Sequence, residues 1–371
     1  MKKVLAILLA LMLVFSFVAC GGDDNGGGGD ANAEGDAWEA AALKVGFIFI
    51  GPINDRGFTQ SMYEGAVRAQ EAFEGVMQFK YRENVPEDTQ EVKNTGLGFI
   101  DEGCKVIISC SYGFGDGVAE LAEEYPDVTF LHFSGSMKND TNFDNWFGSM
   151  EEARYLTGMA AASASESNIL GYVAAHPYTE VQIGINAFTL GAQAVNPDVE
   201  VKVVYINTWG DAELEKTGAE QLLQAGADVI CYHADSTAAQ LAAAEAGAYC
   251  IGWNYPANDA GDKYLTAAYW NPEVYFEYAL KNVMDGTFKP ESYYGTMADG
   301  LIAIDEVSEV VPEEVRAQIA DIKAQMEAGE FSVFTGPIYY SDGSVLCEEG
   351  QTLDRAGIWS IKKEIKGVSA I

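Results

Sequence analysis

Basic residues are scarce in this sequence: 22 Lys and Arg stand against 56 Asp and Glu over 371 residues, a formal net charge of −34. A chain with no basic stripe has little to neutralise a phosphate backbone, so nucleic acid is excluded as a partner. The carboxylates are spread along the chain, so the acidity speaks for solubility and does not by itself point to a cationic ligand. Histidine is scarcer still. His132, His176 and His233 are the only three and share no metal-ligand spacing, so no metal site is expected. The six cysteines include no CxxC pair, and setting Cys20 aside leaves an odd number, which argues against a disulfide framework. Cys110, Cys231 and Cys250 stand in apolar, strand-like runs, where a thiol packs as a small hydrophobe. Catalytic signatures are missing as well: there is no GxSxG, HExxH or GxxxxGK[ST], and the glycines of Gly113–Gly117 have the wrong spacing for a dinucleotide fingerprint. The chain therefore reads as a non-enzyme without a cofactor.

One apolar run is long. Val4 to Ala19 follows Met1-Lys2-Lys3 and closes on Val18-Ala19-Cys20, the pattern of an export signal over residues 1–19 with a lipoprotein-type cleavage site. Cys20 is then the lipid-bearing residue. The run falls short of the roughly 20 residues that a membrane-spanning anchor needs. GGDDNGGGGDANAEGDA follows, with almost nothing to bury, and residues 20–43 are expected to form a flexible tether holding a domain just off a membrane.

From Lys44 the chain alternates short apolar runs with amphipathic segments. Strands are predicted at Lys44–Ile50, Gln78–Arg82, Lys105–Cys110, Thr129–Phe133, Ile169–Ala174, Glu200–Tyr205, Val229–Tyr232 and Tyr249–Trp253. Helical stripes lie between them, and two end in glycine, at Gly226 and Gly247, as helix stops do. This alternation predicts an α/β fold of two lobes, each a parallel sheet flanked by helices, with hinge crossovers between them. The first lobe is expected to comprise residues 44–148 and about 266–292. The second is expected to take residues 149–265 and about 293–310. Residues 311–371 read as a charged helix and a terminal extension packed on one lobe.

In open parallel sheets ligands bind beyond the carboxyl ends of the strands. Loops there carry Asn54, Asp55 and Phe58, then Ser111, Tyr112 and Phe114, in the first lobe. In the second they carry Glu180, then His233 and Asp235, then Asn254, with Trp270 farther on. Carboxylates, amides and aromatic rings together suit a flat heteroaromatic ligand: a ring stacked on a base contributes about 1–3 kcal/mol, and a hydrogen bond to a carboxylate about 1.5–3 kcal/mol. Other roles fit some of these residues. Asp55 can cap the helix that follows it, Phe58 shares an apolar stripe with Met62 and Phe73, and Trp270 suits hinge packing.

Several segments resemble the basic membrane protein family of substrate-binding lipoproteins of ABC importers. They are the Asn54-Asp55 turn with Phe58, Glu152–Gly158 (EARYLTG), Gly226–Ile230 (GADVI), Gly252-Trp253-Asn254 and Asp299-Gly300, in family order from Lys44 to about Gly350. The resemblance implies the periplasmic-binding-protein type I fold, a monomer, an ABC permease and its ATPase as partners, and capture of a purine base or nucleoside by hinge closure. It also implies that Asp55 anchors ring nitrogens, that Phe58 and Tyr112 stack, and that Asp235 and Asn254 act from the second lobe. Gly51-Pro52, Ser111–Phe114 and Asp235-Ser236 are similar to a branch associated with free bases such as adenine. Nucleoside-binding members hold ribose with a lysine where this chain has Ala298, which turns the expectation towards a base; the alternative is the same fold binding a nucleoside, sugar or signal molecule, or a surface receptor feeding a membrane sensor.

Overall fold

The computed structural model describes residues 31–371, so the expected export signal and Cys20 lie outside the described residues. Ala31–Ala40 forms helix α1, a unit apart from the body that runs from Ala41 to Ile371. The second half of the expected tether is thus helical, because its alanines and glutamates are helix formers.

The body is α/β with two parallel sheets. The first contains β1 (Leu43–Phe49), β2 (Met77–Arg82), β3 (Val106–Cys110), β4 (Thr129–Phe133) and β5 (Phe143–Gly148), ordered β5-β4-β3-β1-β2. Helices α2 (Phe58–Ala72), α3 (Thr89–Asp101) and α4 (Gly115–Glu124) connect its strands. Side chains set the helix starts: Asp88 accepts hydrogen bonds from the Gln90 and Glu91 amides, satisfying donors that a helix N-terminus leaves free. The second sheet contains β6 (Ile169–Ala174), β7 (Glu200–Tyr205), β8 (Val229–Tyr232), β9 (Tyr249–Asn254) and β10 (Tyr264–Trp270), ordered β10-β9-β8-β6-β7. Its helices are α5 (Met150–Ala164), α6 (Thr179–Val195), α7 (Ala212–Gln224) and α8 (Ala238–Glu245). Strands β1, β3 and β8 are buried at every position but one, as sheets covered on both faces require.

The lobe boundaries differ from the expected ones. Tyr264–Trp270 pairs in parallel with β9 and so belongs to the second sheet, whereas β11 (Tyr293–Gly295), after α9 (Glu273–Met284), pairs with β5 in the first. The chain re-enters the first lobe after Trp270, rather than near 266, and leaves it after Gly295, rather than near 293. Both runs are apolar strands, and an apolar run does not state which sheet it joins. β12 (Ile302–Ile304) then closes the second sheet antiparallel to β10.

The end of the chain is not packed on one lobe. After α10 (Glu313–Glu327), a hairpin of β13 (Ile338–Tyr339) and β14 (Val345–Cys347) leads to α11 (Arg355–Ile358) and β15 (Val368–Ala370). Arg355 donates to the Ser292 carbonyl at 2.8 Å and Trp359 packs edge-on against Phe147, both on the first lobe. Farther on, β15 pairs with β7, and the Asn186 amide bridges the backbone of Lys363 and Ile365 at 2.9 and 3.0 Å on the second. All five cysteines of the described residues are buried and free.

Candidate functional site

The strand ends of both sheets meet at a cleft with about 660 Å³ of space between its walls, part of it open to solvent. From the first lobe it is lined by Ile50, Phe58, Ser111, Tyr112, Phe133 and Phe147. The second lobe contributes Glu180, Ile183, Gly184, Trp209, His233, Asp235, Trp253 and Asn254. Met150, Glu151, Trp270 and Tyr294 line it where the chain crosses between lobes. None of these residues is Lys or Arg. A wider space of about 1490 Å³, open to solvent, lies beyond Tyr112 and Glu180, and the cations Arg355 and Lys362 border it.

Aromatic side chains make both walls. On the first-lobe side Phe133 has Phe58 at 4.9 Å, Phe147 at 5.1 Å and Trp270 at 5.3 Å between ring centroids. Opposite, His233 lies 4.6 Å from Trp253 and 6.4 Å from Trp209. At the rim Tyr112 reaches across to Tyr178, centroids 5.3 Å apart.

A hydrogen-bonded chain supplies the polar element. Trp270 Nε1 donates to Asn254 Oδ1 at 3.0 Å, and Asn254 Nδ2 donates to Asp235 Oδ1 at 3.1 Å. Asn254, at the end of β9, holds the left-handed conformation with φ of 64°, which asparagine tolerates better than most residues. Burial, and after it the carboxylates of Asp55, Glu215, Glu87 and Glu180, holds the Asp235 carboxyl well above its ordinary range. Burial likewise pushes Glu180 up to about 7 and Glu151 up to about 8, while it keeps His233 neutral by lowering its pKa. Glu180 also accepts a hydrogen bond from Ser134 of the first lobe, and Arg56 Nε donates to Asp259 of the second at 3.1 Å. Tyr255 reaches back to Glu64 at 3.0 Å. These bonds hold the lobes together along the cleft edge.

The raised carboxyl groups make stability pH-dependent with a definite sign. Each binds its proton more tightly folded than unfolded, so its contribution is complete below about pH 4.5 and is lost as pH rises through about 7–8. The melting temperature is expected to fall between about pH 5 and about pH 9, and Glu151→Gln should flatten that slope. Thermal melts at several pH values check this.

Of the residues anticipated from the sequence, Phe58, Ser111, Tyr112, Glu180, His233, Asp235, Asn254 and Trp270 line the cavity, and three do not. Phe114 is fully buried in the core, where a short 3-10 turn over Tyr112–Phe114 directs it. Asn54 is exposed. Asp55 caps α2: its Oδ1 accepts from Gly57 N and Gln60 N at 2.8 and 2.9 Å, and its Oδ2 from Thr59 N at 2.8 Å. Asp55→Ala is expected to cost about 1–2 kcal/mol of stability and to change ligand affinity less than about threefold, as urea melts and titration would read. Sequence reasoning missed Phe133, Phe147, Trp209 and Glu151. Phe133 and Trp209 end or follow strands and were open to the rule that found their neighbours; Phe147 and Glu151 flank a crossover whose register the sequence does not show. Among the described residues no group of three or more His, Cys, Asp or Glu side chains could hold a metal ion.

Comparison with known proteins agrees with this architecture. The profile of the family described as ABC transporter substrate-binding protein PnrA-like matches residues 42–333. A purine-binding protein from Brucella abortus is 35% identical over 92% of this chain and 95% of its own. A putative ABC transporter glucose-binding protein, TsgA13, from Haloferax volcanii is 32% identical over 81% of this chain and 76% of its own. Among solved structures, an ABC transporter solute-binding protein from Aeropyrum pernix superposes with a TM-score of 0.67 at 18% identity, over 80% of this chain and 93% of that one.

Proposed function

The chain belongs to the PnrA-like family of ABC transporter substrate-binding proteins, and from that premise we propose that its cleft captures a purine for import, a free base in preference to a nucleoside. The observation that carries this reading is the Trp270–Asn254–Asp235 chain, set in the wall of a cavity rich in aromatic side chains. The Asp235 carboxyl and the Asn254 amide side by side, groups that both donate and accept when the carboxyl holds its proton, match the adjoining donors and acceptors of a purine edge, while Phe58, Trp253 and Trp270 offer faces for the ring. The inner cavity has no cation to balance a phosphate, which disfavours nucleotides. Ala298 is exposed and does not line the cavity, so the lysine by which relatives are expected to hold ribose has no counterpart there. The name of the Brucella relative supports the ligand class, and adenine is the base that the resemblance puts first.

Binding proceeds by hinge closure. A base settles in one lobe, the other closes over it, and the Ser134–Glu180 and Arg56–Asp259 bonds form across the edge. The closed form is what the permease and its ATPase receive, and Cys20 tethers the protein outside the cytoplasm through lipid. Trp209, Trp253 and Trp270 line the cavity, so tryptophan fluorescence reports occupancy directly. Adenine or another free base should change the emission saturably, the matching nucleoside about 10-fold less tightly, and the nucleotide not at all. A response to glucose with none to any purine would replace this reading with a sugar-binding one.

A further inference from the structure

Gly57 stands where the two lobes touch backbone to backbone. It precedes α2 in the first lobe, and its neighbour across the cleft is Asp235, which follows β8 in the second. A Cβ at Gly57 would stand 2.0 Å from the Asp235 carbonyl oxygen, 2.8 Å from its carbonyl carbon and 3.2 Å from its Cα. Glycine permits so close an approach because it has no side chain.

Neither side of this contact is free to give way locally. The Ser61 amide holds the Gly57 carbonyl at 3.1 Å in the first turn of α2. The Asp235 amide donates to the Trp209 carbonyl at 2.8 Å, and the Asp235 carboxyl accepts from Asn254 at 3.1 Å. Chain neighbours of Gly57 extend the contact. Arg56 pairs with Asp259, which Thr237 Oγ1 holds at 2.8 Å, and Phe58 lines the cavity from the first lobe as Asp235 does from the second. Gly57 and Asp235 belong to different lobes, so crowding from a side chain at 57 exists only while the lobes are shut and is relieved when they part.

We propose that Gly57 sets the closed position of the lobes: its bare backbone lets the start of α2 dock on the Asp235 segment, and a side chain there holds the cleft ajar. Gly57 is then a positioning residue. It does not line the cavity, but its contact brings Phe58 and Asp235 to the spacing at which one ligand meets both. A protein whose competent form is made rarer binds in proportion more weakly. The inference rests on the hinge-closure part of the proposed function and holds whichever ligand fills the cleft.

Small-angle X-ray scattering, calorimetry and thermal melts on the full chain test it, with adenine as the probe and glucose as a second. Whichever probe binds should make the unmodified chain more compact. Gly57→Ala should leave the melting temperature of the ligand-free chain in place and bind that probe about 10-fold or more weakly. It should also stay expanded at a probe concentration that compacts the unmodified chain. Arg56→Ala removes a part-exposed ion pair from the same edge without adding bulk, so it should compact normally and lose only about 2- to 5-fold in affinity. A Gly57→Ala chain that binds and compacts like the unmodified one would overturn the proposal and leave the proposed function standing. Early melting of that variant without ligand would also overturn it, by assigning Gly57 to the fold of the first lobe. An unmodified chain that binds a probe without becoming more compact would overturn hinge closure and the proposal together; one that binds neither probe would overturn the purine reading too.

Discussion

Asp235→Ala is expected to weaken binding of a purine base about 100-fold, because the carboxylate does two things at once. It presents acceptor oxygens to the cavity and holds the Asn254 side chain at 3.1 Å, while Asn254 in turn receives the Trp270 indole N–H. Truncation removes the first role and releases Asn254 from the second, so the loss should lie at the upper end of the about 1.5–3 kcal/mol that one strong hydrogen bond contributes. Asp235→Asn keeps the shape and one acceptor and should fall between the two. The folded protein should not suffer, since the carboxyl is held well above its ordinary range by burial and by neighbouring carboxylates. Removing it relieves that repulsion, and the melting temperature of Asp235→Ala should stay level or rise.

A second large effect is expected far from any ligand. Helices α5 and α6 press together so closely that a Cβ at Gly191 would stand 1.8 Å from the Tyr155 carbonyl oxygen, and one at Gly158 would stand 2.0 Å from that of Phe188. Backbone cannot retreat as a flexible side chain can. Gly191→Ala should therefore cost about 3 kcal/mol or more despite the better helix propensity of alanine. Binding should be lost with it, because α5 carries Met150 and Glu151, and α6 carries Glu180, Ile183 and Gly184, to the cavity. Urea midpoints measured beside affinities read both losses.

Much of the fold was legible because its strands are short apolar runs set between glycine stops and capped helices. Thr129–Phe133, Ile169–Ala174, Glu200–Tyr205 and Val229–Tyr232 form at the anticipated bounds. β5 was not anticipated, since Asp144 and Asn145 interrupt its apolar pattern; Asp144 is buried because its Oδ1 accepts from the Glu291 and Ser292 amides, a long-range partner no local window shows. β15 and the hold of Trp359 on Phe147 are likewise tertiary. At the site, the strand-end rule located the cleft but could not separate Asp55 from Asp235. Both are aspartates beyond a strand. The first turns its oxygens onto Gly57, Thr59 and Gln60, and the second lines the cavity with one oxygen held by Asn254. Asx-type capping and ligand binding use the same atoms, so only the direction of the side chain decides. The family motif EARYLTG gave no hint that Arg154 lies buried against Trp253, for a helix motif does not reveal which of its faces meets the second sheet.

Calorimetric titration of the full chain with a free purine base tests the central claim most directly. One site per chain with a Kd of about 10 µM or tighter is expected, weakened about 100-fold in Asp235→Ala and unaffected, within about threefold, in Asp55→Ala. Saturable heat from a sugar, with none from any purine base or nucleoside, would contradict it.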